Sequence, residues 1–532
     1  MRLTPLVALA AVGVLLSGCG KGGFSDRVEA SRAPGTFIYP IVTTPTSFDP
    51  GNVRDGDTLD LLQQVYEGLV GWDENNEPVG LLAEGWAISD EGKTWTFTLK
   101  QGVKFHNGRE VVAEDVKWSL ERACNSGVKS ATITAYLSDI VGMEERKAGE
   151  ADNIAGVTVI DDYTIEFKLK QPTPYFLGKL TYLVSAVLPK ESVPEDGVIT
   201  QVEQMVGTGP YKVKEYHIDS LVVLERNEDY HGEVPQIKVL ERPIIGDAAA
   251  RLSEYKLGNL DFVMLERQDI DGLDEDLQKE LKYFPRPAIW YVGMNQQHFE
   301  PFKDKRVRQA FAMVINKELI VNDRMGGVNQ IANSIVPPGV PGHQENADGA
   351  LPYDPNRARE LLAEAGYPGG EGIPPITMNF REGRTDVRIV GEAVASMLEQ
   401  ELGVEISIQM MEWNAYLEKE NRGELNFFHM RWAADFLDPQ NFLSHMLASF
   451  GPENKLGYIN PEFDSLCRQA DSIMEMEDRI PLYQQAENIV LDDAVWVPIY
   501  FQRDVELHRP ELQGMRSSLF GHLPHTQVTV DR

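Results

Sequence analysis

A cysteine near the start of the chain is the residue whose chemistry is easiest to specify. Residues 16–19 read Leu-Ser-Gly-Cys and end an apolar run over residues 3–16. That run is too short to span a bilayer but suits the apolar region of a secretion signal. The pattern resembles a bacterial lipobox, which implies cleavage before Cys19 and acylation of its thiol and new amino group. The alternative is an ordinary secretion signal with a coincidental cysteine, and under either interpretation the protein leaves the cytoplasm.

The remaining chemically reactive residues form no pattern that is typical of catalysis or metal binding. The sequence contains no Gly-x-Ser-x-Gly and no His-Glu-x-x-His, and its ten histidines show no metal-ligand spacing. Cys124 and Cys467 lie far apart and in no Cys-x-x-Cys, so a disulfide is possible but two separate buried thiols are favoured. We therefore predict that the protein is not an enzyme and holds neither a metal nor another cofactor.

Length and charge restrict the architecture and the partners. The chain has 532 residues and a formal net charge of −32. It has no second apolar segment of spanning length, so we expect a soluble mature protein that touches the membrane only through its tether. Its length predicts two or three lobes. The acidic surface disfavours nucleic acid and anionic membranes as partners.

Short strands alternate with helices from about residue 36, which predicts α/β lobes. The predicted strands cover residues 95–99, 157–160, 163–169, 260–265 and 404–410. The predicted helices cover residues 114–123, 247–257, 304–323 and 388–402. Asp161 and Asp162 predict a hairpin between the second and third of these strands. Gly258 and Gly403 predict helix ends.

Seven sequence blocks occur in a fixed order behind the lipobox. They read Ala-Glu-Gly-Trp (83–86), Lys-Thr-Trp-Thr-Phe (93–97), Gly-Val-Lys-Phe-His-Asn-Gly (102–108), Ala-Glu-Asp-Val-Lys-Trp-Ser-Leu (113–120), Gly-Thr-Gly-Pro-Tyr (207–211), Asp-Lys-Arg-Val-Arg-Gln-Ala (304–310) and Trp-Ala-Ala-Asp-Phe-Leu-Asp-Pro (432–439). Together they resemble the extracellular solute-binding proteins of family 5, the oligopeptide-, dipeptide- and nickel-binding lipoproteins of ABC importers. The resemblance covers nearly the whole mature chain.

The resemblance implies an α/β, two-lobed clamshell of the large type II periplasmic-binding class with an extra subdomain. It places a signal peptide at residues 1–18 and an anchor with its linker at 19–35. Lobe I would comprise residues 36–62, 198–295 and 505–532, the extra subdomain 63–197, and lobe II 296–504. The chain would then cross the hinge twice, near residues 295 and 505, which suits closure as rigid bodies.

The resemblance also implies a way to hold a peptide by the groups that all peptides share. Asp435 stands where the family grips the ligand ammonium, although an aspartate that caps a helix is the alternative. A charge-assisted bond to an ammonium is selective, because losing either partner leaves the other without a hydrogen bond. The backbone of Arg431, Trp432 and Ala433 would pair with the peptide as an added strand. An ungapped match places Arg54, Asp55 and Gly56 on the facing lobe.

Other ligand contacts follow from the same comparison. Trp413 matches a position that walls a side-chain pocket, but it could equally be a core residue. Tyr136 and Phe501 are further wall candidates. Arg381 is the best match for a cation that takes the ligand carboxylate, and His429 lies where such a cation can occur. Solvated arginines are the alternative interpretation for Arg381 and for its neighbours Arg384 and Arg388.

These expectations define a monomeric receptor that captures di- to oligopeptides and delivers them to the membrane subunits of an ABC permease. It would be periplasmic or at the cell surface, anchored through Cys19. The alternative within the same fold is a non-peptide solute such as a nickel chelate, haem, a sugar or an opine, because fold similarity does not settle ligand class.

Overall fold

The computed structural model describes residues 34–53, 55–130 and 132–531. The strands are β1 Thr36–Ile38, β2 Val70–Trp72, β3 Pro78–Gly80, β4 Ala83–Ser89, β5 Thr94–Leu99, β6 Val157–Asp161, β7 Thr164–Lys168, β8 Tyr211–His217, β9 Leu221–Arg226, β10 Val239–Pro243, β11 Phe262–Leu265, β12 Lys282–Met294, β13 Gln330–Ile331, β14 Ile376–Arg381, β15 Ile406–Met411, β16 Phe427–Ala433, β17 Trp496–His508, β18 Leu512–Gln513, β19 Ser517–Ser518, β20 Gly521–His522 and β21 Thr529–Val530.

The helices alternate with the strands along most of the chain. They are α1 Gly56–Leu62, α2 Ala113–Ala123, α3 Thr132–Leu137, α4 Met143–Ala148, α5 Phe176–Leu180, α6 Ala248–Lys256, α7 Arg267–Ile270, α8 Glu275–Glu280, α9 Lys305–Met313, the π-helical turn α10 Leu319–Arg324, α11 Pro355–Glu364, α12 Thr385–Leu402, α13 Trp413–Asn421, α14 Ser444–Leu447, α15 Pro461–Ser472 and α16 Met476–Asp492. In the part of the chain that is described, no helix is both long and apolar enough to cross a membrane.

Three sheets organise these elements. The first has the order β1-β10-β9-β8, the second β4-β5-β7-β6, and the largest β11-β17-β12-β16-β14-β15, with β13 paired to β17. The hairpin predicted around Asp161 and Asp162 is present, because β6 and β7 pair antiparallel. Parallel and antiparallel pairs occur together in the largest sheet, since β14 pairs parallel with β15 and β16 while β12 pairs antiparallel with β16 and β17.

The two longest strands connect separate hydrophobic cores. β12 and β17 have 13 residues each and pair antiparallel over most of their length, with a shift of register between Pro285 and Ile289. On one side of that shift, Val505 and Leu507 pack with β11 and α6. On the other side, residues of β12 and β17 enter the two cores that flank the largest sheet. β17 therefore passes from one core to another along its length.

One long predicted helix is wrong. We predicted a continuous helix over residues 304–323, but α9 ends at Met313 and α10 begins at Leu319. The side chain of Asn316 accepts a hydrogen bond from the Leu319 amide at 2.9 Å and so caps the second segment. The apolar positions expected to face inward are nevertheless buried, including Val314 and Ile315. The pattern of burial therefore continues through a break that hydrophobic spacing does not reveal.

The other predicted boundaries differ by a few residues. α12 begins at Thr385, three residues before the predicted start, and ends at Gly403 as predicted, where the backbone has φ of 70°.

Cys124 and Cys467 are separate, buried and free thiols, which confirms the favoured interpretation.

Candidate functional site

The open edge of β16 is the central feature of the candidate site. β16 pairs with β12 along its whole length, from Phe427 to Ala433, whereas β14 pairs with it only at residues 427 and 428. Successive backbone groups of a strand point to opposite edges. The Phe427 carbonyl points toward β14, because it accepts a bond from Asn379 at 3.1 Å. Arg431 and Ala433 therefore direct their N–H and C=O groups to the open edge, where β14 has diverged.

The open edge has a defined end on the side of β14. The carbonyl of His429 also points that way, and it accepts a hydrogen bond from the Tyr416 hydroxyl at 3.1 Å. Among the described residues, the backbone of Arg431 and Ala433 has no strand partner at this edge. The opening therefore covers about the length of two alternate residues.

Asp435 follows the open edge directly and is held in place by Asn441. The side chain of Asn441 accepts a hydrogen bond from the Asp435 amide at 3.0 Å. The same side chain accepts one from the Trp432 indole at 3.2 Å, and the Asn441 carbonyl accepts another at 3.0 Å. The side-chain amide of Asn441 thus lies between the end of β16, the Trp432 indole and the Asp435 carboxylate.

A buried ion pair fixes the turn that carries Asn441. Asp438 caps the short 3-10 turn Pro439–Asn441 by accepting a bond from the Gln440 amide. Arg479 donates two hydrogen bonds to the Asp438 carboxylate, at 2.7 and 2.8 Å, and a third to the Tyr483 hydroxyl at 3.0 Å. Arg479 and Asp438 are both buried. The position of Asp435 therefore depends on a residue of α16 that is distant in sequence.

Asp435 is also contacted from the N-terminal half of the chain. The hydroxyl of Tyr136, on α3, faces the Asp435 carboxylate and favours its ionised form. Burial raises the pKa of Asp435 to about 6, and Tyr136 and Asn441 offset only part of that rise. Both of these groups are neutral, so the carboxylate has no bonded cation among the described residues. A buried carboxylate in this state favours a cationic partner.

Aromatic contacts line the same junction between the two halves. The ring of Tyr136 stacks on Tyr182 with centroids 3.8 Å apart. The ring of Tyr175 stacks on Phe436, the residue after Asp435, at 5.4 Å. Lys179 forms an ion pair with Asp139 close by, so its charge is already engaged. The N-terminal half and the loop after β16 are thus in direct contact in this structure.

Arg381 and Trp413 lie together where β14 leaves β16. Arg381 is the last residue of β14, and its guanidinium carbon lies 4.2 Å from the centre of the Trp413 ring. Trp413 in turn stacks on Tyr416 at 6.0 Å. Burial lowers the pKa of Arg381, and the neighbouring Arg384 lowers it further. The cation and the aromatic wall predicted from the sequence are therefore in direct contact with each other.

His429 does not supply the positive charge that the sequence comparison implied. Its side chain is 1% exposed, and its ring lies between Trp290, at 5.2 Å, and Tyr500, at 6.4 Å. Neither ring nitrogen has a hydrogen-bond partner among the described residues. Burial lowers the pKa of His429 to about 3. The imidazole is therefore neutral at physiological pH.

The remaining candidate residues have structural surroundings of their own. Phe501 is buried on β17, and its ring meets His343 edge-on at 5.6 Å. Asp55 caps α1 by accepting a bond from the Thr58 amide at 2.9 Å and another from the Thr46 hydroxyl at 2.5 Å. Gly56, the first residue of α1, is exposed. Arg54 and Cys19 lie outside the described residues.

Sequence reasoning missed Asn441 and Arg479. Asn441 follows Asp438 and Pro439, and an Asp-Pro pair is a signal for a turn. That signal could have indicated a turn behind Asp435, but not that its asparagine reaches back to the strand. Nothing in the local sequence pairs Arg479 with Asp438, because 41 residues separate them. The part of the chain that is described contains no cluster of three or more His, Cys, Asp or Glu residues that could hold a metal.

The chain is similar to known proteins along most of its length. The sequence model of the bacterial extracellular solute-binding proteins, family 5 (middle region), matches residues 77–454. The chain is 28% identical over 522 residues to the oligopeptide-binding protein OppA of Bacillus subtilis, covering 94% of each protein. It is also 28% identical to heme-binding protein A of Haemophilus influenzae, covering 100% of each.

A solved structure shows the same architecture. The murein tripeptide binding protein MppA of Escherichia coli superposes with a TM-score of 0.79 at 25% identity, covering 94% of this chain and 99% of that one. The fold is thus the two-lobed α/β fold of a type II periplasmic binding protein. The chain belongs to the bacterial extracellular solute-binding proteins of family 5.

Proposed function

We propose that the protein is the substrate-binding component of an ABC importer, that it captures di- to oligopeptides between its lobes, and that it delivers them to a membrane permease. The observation that carries the proposal is the open edge of β16, which leads directly to a buried carboxylate without a cation. Relatives named for oligopeptide and murein tripeptide binding support the same conclusion.

In this proposal the peptide adds a strand to β16. Its ammonium binds Asp435, and its backbone pairs antiparallel with Ala433 and then Arg431. Main-chain bonds are indifferent to side-chain identity, so such pairing gives broad specificity. Trp432 belongs to the same strand and anchors it through Asn441. Residues Arg54, Asp55 and Gly56 would cover the ligand from the facing lobe.

The far end of the peptide would meet Arg381, whose guanidinium lies where the open edge ends. Trp413 would form an apolar wall beneath it, with Tyr136 at the ammonium end. Phe501 and His429 remain proposed contacts. Because both side chains are buried, they could contact only a ligand group that reaches into the face of the sheet. His429 would act there as a neutral donor.

We also propose the lobe boundaries given above, with the hinge crossed near residues 295 and 505. The change of core along β17 supports the crossing near residue 505. Closure over the peptide would then bend the two strands together.

The location and attachment are part of the proposal. The first 18 residues would be removed, and Cys19 would carry the lipid that anchors the protein in the periplasm or at the cell surface. The receptor would act as a monomer and would catalyse no reaction, as family membership supports.

Native mass spectrometry of protein expressed without residues 1–19 tests the proposal. We expect a ladder of adducts whose masses correspond to peptides of about two to five residues, since the open edge is short. A single non-peptide mass, haem included, would reject peptide capture. So would the absence of both adducts and thermal stabilisation by a peptide library.

A further inference from the structure

Three arginines around the end of the open edge have no ion-pair partner. Arg381, Arg384 and Arg431 form no salt bridge and no side-chain hydrogen bond with any of the described residues, and the Nε atoms of Arg381 and Arg431 are buried without a partner. They are unpaired in a chain with a net charge of −32, in which acidic residues outnumber basic ones by 82 to 50. Unpaired guanidinium groups in such a protein are available to a ligand.

The three charges act on one another. Arg384 lowers the pKa of both Arg381 and Arg431, and burial together with Arg384 lowers the pKa of Arg431 to about 10. One acidic group nearby is already committed. Asp504 binds Arg286 and accepts a bond from Gln502 at 2.9 Å. The positive charges therefore repel each other without full compensation.

Acidic groups also face these arginines from the neighbouring elements. Glu266, which precedes α7, and Glu412, which precedes α13, each attract Arg381. Asp386, in the first turn of α12, has a raised pKa because of its burial, and one of its carboxylate oxygens lacks a hydrogen-bond partner. Glu266 and Asp386 line the same cavity as Arg384 and offset part of its positive charge, but neither they nor Glu412 bond to Arg384 or Arg431.

A cavity of about 290 Å³ lies beside Arg384. Arg384, Trp290, Tyr500 and Gln502 line it, and so do the acidic residues Asp247, Glu266, Asp386 and Asp504. Trp290 is paired directly with Arg431 across β12 and β16, so the two side chains leave the sheet on the same face. The volume corresponds to roughly ten water molecules at about 30 Å³ each, which is ample for a side chain.

We infer that the ligand carries a second negative charge at its C-terminal end. With the ammonium on Asp435 and the terminal carboxylate at Arg381, the last side chain lies beside the cavity, and an acidic group there binds Arg384 and Arg431. The preferred substrates are thus peptides that end in an acidic residue. This inference rests on the proposed function and specifies the class of peptide.

Calorimetry with matched peptides tests the inference. The probes are Ala-Ala-Glu and Ala-Ala-Gln, together with the same pair extended by one N-terminal alanine, because length and charge then vary independently. Bonds to charged groups are strong enough to predict at least about tenfold tighter binding of the glutamate peptide at one of the two lengths. In Arg384→Gln and in Arg431→Gln that ratio falls to within about threefold.

Arg388→Gln is the matched control. Arg388 lies one turn further along α12, is exposed and is already paired with Glu392 at 3.4 Å, so its removal changes the net charge without changing the cavity. The control keeps the glutamate preference. Equal binding of the glutamate and glutamine peptides by the unmodified protein would overturn the inference and leave peptide capture intact. So would a preference that survives both cavity variants. If no peptide binds, the proposed function and the inference fall together.

Discussion

The hydroxyl of Tyr136, on a helix in the N-terminal half, faces the carboxylate of Asp435 in the loop that follows β16. The two groups meet at the junction between the two halves, and the group that faces the carboxylate there is neutral. A ligand ammonium would add the missing positive charge to this arrangement. The contact thus relates closure of the molecule to the group that we propose binds the peptide amino terminus.

The first prediction concerns Asp435 itself. Asp435→Asn keeps the shape of the side chain but removes its charge, so a peptide ammonium loses its partner in a buried site. We expect the affinity for a free peptide to fall by about 2–5 kcal/mol, the usual cost of removing one member of a buried charged pair. Isothermal titration calorimetry measures the loss.

A control variant separates this effect from a general change in charge. Asp276 is exposed on α8, where it pairs with Lys279. Asp276→Asn should bind the peptide as the unmodified protein does. Equal affinity in Asp435→Asn and Asp276→Asn would remove Asp435 from the site.

The second prediction is a pH profile. Burial raises the pKa of Asp435 to about 6, and an ammonium partner lowers it in the complex because it favours the ionised carboxylate. Below pH 6 the empty site holds a proton that binding must expel, so the affinity falls as the pH decreases, by up to about tenfold per unit. Above a pH of about 8 the ligand amine loses its proton, since its pKa is about 7.7–8.0.

The affinity should therefore be highest between about pH 6 and 8. Calorimetry from pH 4.5 to 9 measures the fall in affinity on the acidic and on the basic side. In Asp435→Asn the fall on the acidic side should be absent. An affinity that stays constant from pH 7 to pH 5 would contradict the assignment of the ammonium to Asp435.

The third prediction concerns Arg381 and the far end of the ligand. Arg381→Gln removes the charge over the Trp413 ring but keeps a polar side chain. We expect about tenfold weaker binding of a peptide with a free carboxylate and little change for the same peptide with a C-terminal amide. The difference between the two peptides is the measured quantity. A variant that weakens both peptides equally would indicate that Arg381 only supports Trp413.

The fourth prediction addresses the turn behind the site. Arg479→Met leaves the carboxylate of Asp438 buried without its partner, which costs about 3–5 kcal/mol of the free energy of unfolding. Urea denaturation measures the change. Arg468, exposed on α15, is the control, because Arg468→Met should change stability by no more than about 0.5 kcal/mol. Equal stability of the two variants would show that the pair does not hold the turn.

Sequence patterns predicted the elements of the fold better than the breaks in them. The hairpin at β6 and β7 was predicted from alternation and turn residues, which act locally. The break between α9 and α10 was missed, because the apolar spacing continues through it while the Asn316 cap interrupts the backbone. Asparagine favours a helix cap over a helix interior, but the prediction followed the apolar spacing instead of this local signal.

In the candidate site, too, some features were predicted from the sequence and others depend on tertiary packing. Asp435 and the strand before it were identified by resemblance, and the structure places them at an open strand edge. The neutrality of His429 could not be foreseen, because it arises from Trp290 and Tyr500 on two other strands. The dependence of Asp435 on Arg479 is likewise a product of tertiary packing rather than of local sequence.

The open edge of β16 also has a consequence for self-association. Unpaired strand edges invite pairing with other chains, and proteins usually cover or interrupt them. Here Tyr175 of the N-terminal half stacks on Phe436, just beyond the end of the edge. We therefore expect the N-terminal half to shield the edge from the sheet of a second folded copy.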